Sequence, residues 1–355
     1  MADLIDLHCP FHDDGNRFSC HLSKYSGQYR ARIPPGSGSR LDACRVLAGR
    51  TLVLLGDSIT RQMYDTLRCH LCRERDRKRR CRPPELKRNR TLQQVLKAEH
   101  HEPACASFGV CGTVCYLESG TRRSHYSLNS SMALQSVLRG VATRPDTGCT
   151  DAGDTCPRHA TSPLVGLGSG VAGATASQVL IVANDGLWYT EGENWAAASR
   201  GALRRAADYG AAWRRWTEAR AAERGGGRSA CLLWRETGPQ HFGTRTGTFR
   251  RQRSQQSTGW IHTGKCAPHG AELGSPWEPL NAALESQHAI PVVRVWNQTR
   301  ALWDMHLANR TPHLLWRNAT GRELHSNFDC THWCTPGVVD MWVALMMEAL
   351  QRHCS

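Results

Sequence analysis

Three side chains of this sequence have the types and spacing of a nucleophile with its base. Ser58 follows an apolar run in "TLVLLGDSITRQMYDTL", and Asp329 and His332 lie three residues apart in "NFDCTHWCTPG". A serine hydroxyl attacks an acyl carbon when an imidazole accepts its proton and a carboxylate fixes the tautomer of that imidazole. The pattern predicts acyl transfer by Ser58, with His332 as the base and Asp329 as the orienting carboxylate.

A purely structural role is the alternative for the same residues. Asp57 and Ser58 are both good N-cap residues, and a helix is predicted to begin near Ile59. Asp329 can be an ordinary turn residue and His332 a partly buried polar side chain. The joint pattern of all three, and not any one of them, favours the catalytic interpretation.

Apolar runs predict the elements that position these groups. Continuous Val, Ile and Leu stretches are typical of parallel strands that are covered on both faces. Helices are predicted over 200–224 and from about Val338. The predicted fold is α/β, a disulfide-stapled three-layer αβα sandwich with a mainly parallel sheet, in which Ser58 follows the first strand at the edge where such folds bind ligands. The predicted strands lie within 50–57, 178–185, 230–237 and 290–297.

Cysteines and glycosylation sequons indicate the compartment. The chain has sixteen cysteines, and the single Cys-x-x-Cys pair at Cys69 and Cys72 has no second pair with zinc spacing, so disulfides are the better interpretation. The amino terminus has no continuous apolar leader segment, and no run approaches twenty apolar residues. We expect a lumenal protein of the secretory pathway, and two alternatives stay open: either a leader or anchor is absent from this chain, or the lumenal interpretation is wrong. Candidate glycosylation sites are Asn89, Asn129, Asn297, Asn309 and Asn318.

The positive charge is concentrated in one segment. The formal net charge is +14, and residues 68–90 contain eleven Lys or Arg against three Asp or Glu. This segment lacks interleaved aromatic residues, which argues against nucleic acid. A solvated loop is the first interpretation, and binding of an acidic polysaccharide or a membrane surface is the second.

Several motifs together resemble a known family. The two ends resemble the SGNH (GDSL-type) hydrolase superfamily, and within it the PC-esterase branch of trichome birefringence-like polysaccharide O-acetyltransferases. "GDSITR" carries Ser58 and Arg61 in the spacing of that branch, and "DCTHWCTPG" is similar to its carboxyl-terminal box. Between them, "RETGPQHF" and "GWIHTGKC" resemble two further segments. The front of the chain, with "CPF", resembles the family's cysteine-containing module, which gives predicted domains of 1–49 and 50–355.

The resemblance implies roles for further residues. Asn184 would donate its amide to the oxyanion beside the backbone N–H of Ser58. A third donor is assigned to Gly109 or Gly112, which could instead be plain turn glycines. Arg61 either pairs with a carboxylate or contacts substrate. His241 is interpreted first as a satisfied structural histidine, with a substrate-side residue or an alternative base as the other interpretations.

The chain also departs from the plant pattern. "NDGLWY" keeps Asn184, Gly186 and Trp188 but lacks the histidine of Asn-Thr-Gly-His-Trp-Trp, which affects the expected acceptor-sugar contacts. Gly238 replaces the serine before Pro-x-His-Phe. Disulfides on both sides of His332 would make its turn rigid. The disulfide candidates are Cys330, Cys334, Cys9, Cys20, Cys44, Cys69 and Cys266.

The predicted function is transfer of an acetyl group from a donor to a carbohydrate hydroxyl through an ester on Ser58, in the Golgi lumen. No metal and no organic cofactor are implied. A carbohydrate acetylesterase would use the same residues, because only the nucleophile of the second step differs. A disulfide-stapled glycan-binding protein without activity is the alternative from another class, although it would have no need to keep Ser58, Asp329 and His332 together.

Overall fold

The structure of the protein is a computed structural model. A six-stranded sheet forms its centre, in the order β2-β3-β1-β4-β5-β6. Its strands are β1 (Thr51–Gly56), β2 (Ala104–Ser107), β3 (Thr113–Glu118), β4 (Val179–Ala183), β5 (Ala230–Arg235) and β6 (Val292–Val293). The structure describes residues 43–75, 104–118, 134–135, 137–138, 178–185, 195–222, 230–242, 266–268, 275–306, 316–317, 323–324, 329–334 and 337–355.

Helices cover both faces of this sheet. They are α1 (Ala43–Leu47), α2 (Ser58–Arg75), α3 (Trp195–Ala222), α4 (Glu278–His288), α5 (Trp296–Thr299) and α6 (Val338–His353). Short 3-10 turns occupy Gly109–Cys111 and Trp303–Met305, and a separate hairpin pairs β7 (Trp316–Arg317) with β8 (Glu323–Leu324). The α/β sandwich predicted from the sequence is confirmed.

Alternate residues of each central strand enter different cores. Leu52 and Leu54 of β1 pack with α1, α2 and α6 on one face, whereas Val53 and Leu55 pack with α3 and α4 on the other. All four side chains are fully buried. Because both faces are apolar, the strand reads as a continuous hydrophobic run, and each such side chain contributes about 1.5–3 kcal/mol through burial.

The strand pairing sets where the functional side chains can meet. β1 pairs in parallel with β3 and β4, and β5 pairs in parallel with β4 and β6. Among the described strands of this sheet, β2 alone runs antiparallel, against β3. The carboxyl ends of β1, β4 and β5 therefore share one edge, which places the residues after Gly56, Ala183 and Arg235 side by side.

The segment before β4 contains structure that the apolar pattern did not predict. Residues 104–107 and 113–118 form two strands, although the sequence favoured a loop with functional glycines there. Both strands are short, and cysteine, tyrosine and glutamate interrupt their apolar character. β3 pairs with β1 and β2 pairs with β3, which extends the sheet on the side away from β5.

Disulfides tie distant parts of the chain to this core. The described pairs are Cys44–Cys111, Cys105–Cys115, Cys231–Cys354 and Cys266–Cys330. Cys69 and Cys334 are also disulfide-bonded, whereas Cys9 and Cys20 lie outside the described residues. Several disulfides indicate an oxidising, secretory compartment. Among the helices of the described residues, none has the length and apolar character that a membrane crossing requires.

Candidate active site

The turn that carries Ser58 forms where β1 ends and α2 begins. Asp57 caps the helix, since its Oδ1 accepts the backbone N–H groups of Ile59 at 3.0 Å and Thr60 at 3.2 Å. Gly56 allows the backbone of the turn to pack closely against Thr60 and Asn184. A Cβ at that position would lie 2.3 Å from the Thr60 hydroxyl oxygen and 3.1 Å from the Asn184 carbonyl oxygen. Asp57 thus takes the capping role, and the Ser58 hydroxyl is left for a different partner.

That partner is His332, on the loop that precedes α6. The Ser58 Oγ lies 2.8 Å from His332 Nε2, and His332 Nδ1 lies 2.7 Å from Asp329 Oδ2. With its proton on Nδ1, the imidazole donates to the carboxylate and accepts the hydroxyl hydrogen at Nε2. The structure therefore brings together the three residues that the sequence singled out, in the order nucleophile, base and carboxylate.

The Asp329 carboxylate is held in its ionised form. Burial raises the pKa of Asp329, but the His332 charge and the hydrogen bond from its imidazole lower it more strongly, together with backbone N–H donors. Those donors are the N–H groups of Thr331 and His332, at 3.1 and 2.9 Å from Oδ1. The net pKa lies well below the ordinary range for Asp, so the group remains a carboxylate near neutral pH and stabilises an imidazolium.

The turn at 329–334 is fixed by contacts from distant segments. The Gln62 amide donates to the Trp333 carbonyl oxygen at 2.9 Å and accepts the Trp333 N–H at 3.3 Å, which joins α2 to the turn. Gln240 donates to the Thr331 hydroxyl at 3.0 Å. The Cys266–Cys330 disulfide adds a covalent tie. The disulfides expected on both sides of His332 are thus present in the structure.

A buried cation supports the Ser58 turn from below. Arg235, at the end of β5, is 1% exposed, and its Nη2 lies 3.9 Å from Asp57 Oδ1 and 3.3 Å from the Thr60 hydroxyl. Burial lowers the pKa of Arg235 to about 10, against the opposing effect of the Asp57 and Glu236 carboxylates. The guanidinium stays charged at neutral pH and holds the capping carboxylate in place.

Asn184 lies at the expected edge of the sheet, directly after β4. Its backbone N–H donates to the Leu55 carbonyl oxygen at 2.8 Å. Its side-chain Nδ2 donates to the Arg235 carbonyl oxygen at 2.9 Å and to the Thr237 hydroxyl at 3.0 Å. Both amide hydrogens have protein acceptors, so donation to an oxyanion requires that one of these bonds be released. The oxyanion role of Asn184 stays a prediction.

The two glycines assigned as oxyanion donors lie at the opposite end of the sheet. Gly109 and Gly112 precede β3, and Thr113 of that strand pairs with Thr51 at the start of β1, whereas Ser58 follows the end of β1. Six residues of strand, at about 3.3 Å per residue, separate the two ends. Gly112 instead serves a turn with φ of 83°, packed against the Arg50 and Leu47 carbonyl oxygens. This corrects the prediction, because neither glycine can contact a group bound at Ser58.

Arg61 and His241 have contrasting environments. Arg61 is exposed one helical turn after Ser58, and within the described part of the chain its guanidinium has no hydrogen-bond or ion-pair partner, so the carboxylate expected to pair with it is not found there. His241 is fully buried, with both ring nitrogens in hydrogen bonds, which supports its interpretation as a structural histidine. Gly238 packs against the Trp342 ring, 2.3 Å from where a Cβ would be.

Other predicted positions give partial answers. Asn297 is exposed on α5, whereas the remaining sequons lie outside the described residues. Gly186 and Trp188 also lie outside them, as does most of the basic segment 68–90. Arg68, at its start, packs over the Tyr64 ring at 5.1 Å. The two predicted domains stay a prediction, although α1 from the amino-terminal part is tied to the core by the Cys44–Cys111 disulfide.

Sequence reasoning missed three residues that support the site. Arg235 offered a signal, since a charged residue that ends a buried apolar strand requires a buried partner. Gln62 and His306 offered none, because an isolated glutamine or histidine does not reveal a contact with a residue far along the chain. Both act through side chains that reach the 329–334 turn.

Fold and site define a class of proteins: α/β sandwiches with a Ser-His-Asp arrangement at the carboxyl edge of a mainly parallel sheet. Residues 176–349 match the model of PC-Esterase, a GDSL/SGNH-like acyl-esterase family found in Pmr5 and Cas1p. Residues 176–349 are therefore assigned to this family, and the assignment implies acyl-esterase or acyltransferase chemistry. The match includes Asp329 and His332, and the fold brings Ser58 to them from outside the matched residues. A comparison with curated proteins gives no match.

Proposed function

We propose that this protein transfers an acetyl group from a donor to a carbohydrate hydroxyl through an ester on Ser58. One observation carries the proposal: the Ser58 hydroxyl, the His332 imidazole and the Asp329 carboxylate form a continuous hydrogen-bonded chain, with links of 2.8 and 2.7 Å. The family assignment supports acyl chemistry, and the motif resemblance to polysaccharide O-acetyltransferases supports acetyl and carbohydrate as the substrates.

The first half-reaction loads the enzyme. As Ser58 Oγ forms a bond to the acetyl carbonyl carbon, its proton passes to His332 Nε2, and the carbonyl oxygen becomes an oxyanion. Collapse of the tetrahedral intermediate breaks the bond to the donor, and His332 returns the proton to the leaving group. Asp329 stabilises the imidazolium throughout.

The second half-reaction unloads it. A sugar hydroxyl gives its proton to His332 Nε2 while its oxygen attacks the Ser58 ester, and the collapse restores the Ser58 hydroxyl. One oxyanion donor is available for both halves: the backbone N–H of Ser58 begins α2 and has no acceptor within the part of the chain that the structure describes. The oxyanion role of Asn184 is part of the same proposal.

The surroundings of Ser58 suit an external acceptor. Ser58 and His332 are partly exposed, so a hydroxyl of a large glycan can reach the imidazole without entering a closed cavity. Arg61 adds an exposed positive charge one turn from the nucleophile. We propose that Arg61 contacts the substrate, and that the basic segment 68–90 concentrates an acidic polysaccharide. The Golgi lumen is the proposed location, consistent with the disulfides.

Hydrolysis is the second candidate, and the same exposure favours it. The His332 side chain is 20% exposed, so water can also reach the imidazole and attack the ester. The product would then be free acetate, and the protein would be a carbohydrate acetylesterase. Transfer requires that a bound sugar hydroxyl outcompete water through its effective concentration.

Partition of a labelled acetyl group tests these alternatives. The purified protein is incubated with a labelled aryl acetate while each of a panel of acidic and neutral polysaccharides is titrated, and label is counted in acetate and in glycan ester. We expect one glycan to capture label as acetate release falls. Unchanged acetate release at every saturating glycan would establish the esterase instead. Absence of any turnover of the aryl acetate would favour the inactive glycan-binding alternative.

A further inference from the structure

Two fully buried histidines lie directly behind the His332 turn. His241 Nδ1 and His306 Nε2 lie 2.7 Å apart, in a tilted pair of rings. The other nitrogen of each ring faces a backbone carbonyl oxygen: His241 Nε2 lies 2.9 Å from that of Arg300, and His306 Nδ1 lies 3.0 Å from that of His332. All four ring nitrogens therefore belong to one row that ends on the main chain of the proposed base.

The hydrogen-bond count along this row requires three protons. A carbonyl oxygen only accepts, so both outer nitrogens must carry hydrogen. The two inner nitrogens, at 2.7 Å, need one further hydrogen between them. Two neutral imidazoles carry only two hydrogens in total, and two imidazolium rings would place two hydrogens in the inner contact. One positive charge on the pair is the state that satisfies every contact.

Each neutral arrangement leaves a buried contact without a hydrogen. If both outer nitrogens are protonated, two lone pairs face each other at 2.7 Å. If the inner contact is satisfied instead, the lone pair of one outer nitrogen faces a carbonyl oxygen. Either defect is expensive in a site with no water-exposed surface, because His241 and His306 are both 0% exposed.

The surroundings suit a shared positive charge. The Trp333 ring stacks on His306 with 3.8 Å between ring centroids, and His241 meets the same indole edge-on at 5.7 Å. An indole face stabilises a cation placed against it. The ionisable residues near the pair along the described segments are Glu236 and Arg235 before His241, Arg300 and Asp304 before His306, and Asp329 and His332 on the turn.

We propose that His241 and His306 share one extra proton and, as a singly charged pair, position the backbone of His332. The charge strengthens the hydrogen bond from His306 to the His332 carbonyl oxygen, so the imidazole is presented to Ser58 from a fixed main chain. The catalytic consequence rests on the proposed function, whereas the proton count does not. Neither histidine contacts Ser58, so both are positioning residues.

The proton count can be read by nuclear magnetic resonance of the protein labelled with ¹⁵N in its histidine rings. At pH 8 an ordinary imidazole, with a pKa of about 6.5, is neutral and has one bare nitrogen. We expect the pair to show three exchange-protected N–H hydrogens on its four ring nitrogens. The fourth nitrogen accepts the shared proton in the contact between the two rings. Signals are assigned by their loss in His241→Gln and in His306→Gln, with exposed His353→Gln as the unaffected control. Two N–H hydrogens in total, one on each ring, with one bare nitrogen on each ring, would overturn the proposal.

A kinetic measurement tests positioning separately. Aryl acetate turnover by His306→Gln should fall about tenfold or more in kcat with little change in KM, because the substrate does not touch His306. His353→Gln should match the unaltered protein. An unchanged kcat in folded His306→Gln would overturn the positioning role. If the proposed function itself is wrong, the unaltered protein will show no turnover that depends on Ser58, while the three-hydrogen signature persists.

Discussion

Ser58 and His332 lie on two turns that the fold holds by different means. The Ser58 turn is formed by local contacts: a strand ends, and Asp57 caps the next helix through hydrogen bonds that span two or three residues. Arg235 adds a long-range contact to this local turn. The turn at 329–334 is held by partners far along the chain. Gln62 and Trp333, for example, are 271 residues apart in sequence.

This difference indicates how a catalytic pair can be assembled with accuracy. The end of β1 and the capped start of α2 together determine the position of Ser58. The base must then be brought to Ser58. The turn that carries His332 is held in position by side-chain hydrogen bonds, a disulfide and buried histidines. We therefore expect substitutions that weaken the Ser58 turn to be detected in the free energy of unfolding. Substitutions that weaken the His332 turn should be detected in kcat as well.

The largest expected effect comes from the carboxylate. In Asp329→Asn, the amide would donate to His332 Nδ1 and move the imidazole hydrogen to Nε2, where it faces the Ser58 hydroxyl. The imidazole then cannot accept the serine proton, and kcat on an aryl acetate should fall by about 10⁴-fold. Exposed Asp208→Asn is the matched control and should leave kcat unchanged. A loss under about tenfold in Asp329→Asn would exclude the proposed role.

Arg235→Met tests the local turn through stability. Removing the guanidinium leaves the Asp57 carboxylate buried without its cation, which should lower the free energy of unfolding by about 3–5 kcal/mol. Arg294→Met removes an exposed arginine that binds Glu278 and Glu285, and it should cost less than about 1 kcal/mol. Urea unfolding of both variants measures the comparison. Equal losses would mean that Arg235 does not support the capping carboxylate.

Gln62→Leu tests the long-range turn. The substitution removes both hydrogen bonds to the Trp333 backbone and leaves those groups buried, so we expect a loss of about 1–3 kcal/mol in unfolding free energy. The kcat should also fall, by roughly tenfold, because the turn carrying His332 loses its tie to α2. Exposed Gln351→Leu serves as the control for both quantities. An unchanged kcat in a destabilised Gln62→Leu protein would show that the Gln62–Trp333 hydrogen bonds stabilise the fold without supporting catalysis.

The smallest effect concerns the acid dependence of stability. The pKa of Asp329 is lower in the folded state than in the unfolded chain, so its stabilising contribution is present above the unfolded pKa of about 3.9 and is lost as pH falls through the folded value. Asp329→Asn should therefore be less stable than the unaltered protein at pH 6, by under about 1 kcal/mol for a partly exposed pair. The difference should shrink on acidification. A difference that grows below pH 4 would contradict the assigned shift.

The sequence predicted the features that local pattern controls. Continuous apolar runs indicated β1, β4 and β5, and the Gly-Asp-Ser turn followed from the end of the first of them. β3 was missed because its apolar character is broken, and this loss led to Gly109 and Gly112 being assigned to the wrong end of the sheet.

Spatial contacts were predictable only where a motif carried them. Asp329 and His332 were found because they share a short motif, and their contact with Ser58 was inferred from residue type. The His241–His306 contact and the Gln62–Trp333 hydrogen bonds depend on which distant segments the fold brings together. No periodicity or spacing along the chain encodes such contacts, so the support of the His332 turn emerged only from the structure.

The most direct test of the central claim is the turnover of Ser58→Ala on an aryl acetate. The substitution removes one oxygen from a partly exposed turn and leaves the Asp57 cap intact, so the fold should be unchanged by circular dichroism and unfolding. We expect kcat/KM to fall by about 10⁴-fold or more. Ser286→Ala, which removes an exposed hydroxyl bonded to the Ala282 carbonyl oxygen, should retain full turnover. A folded Ser58→Ala protein that loses less than tenfold would contradict the claim that Ser58 is the nucleophile.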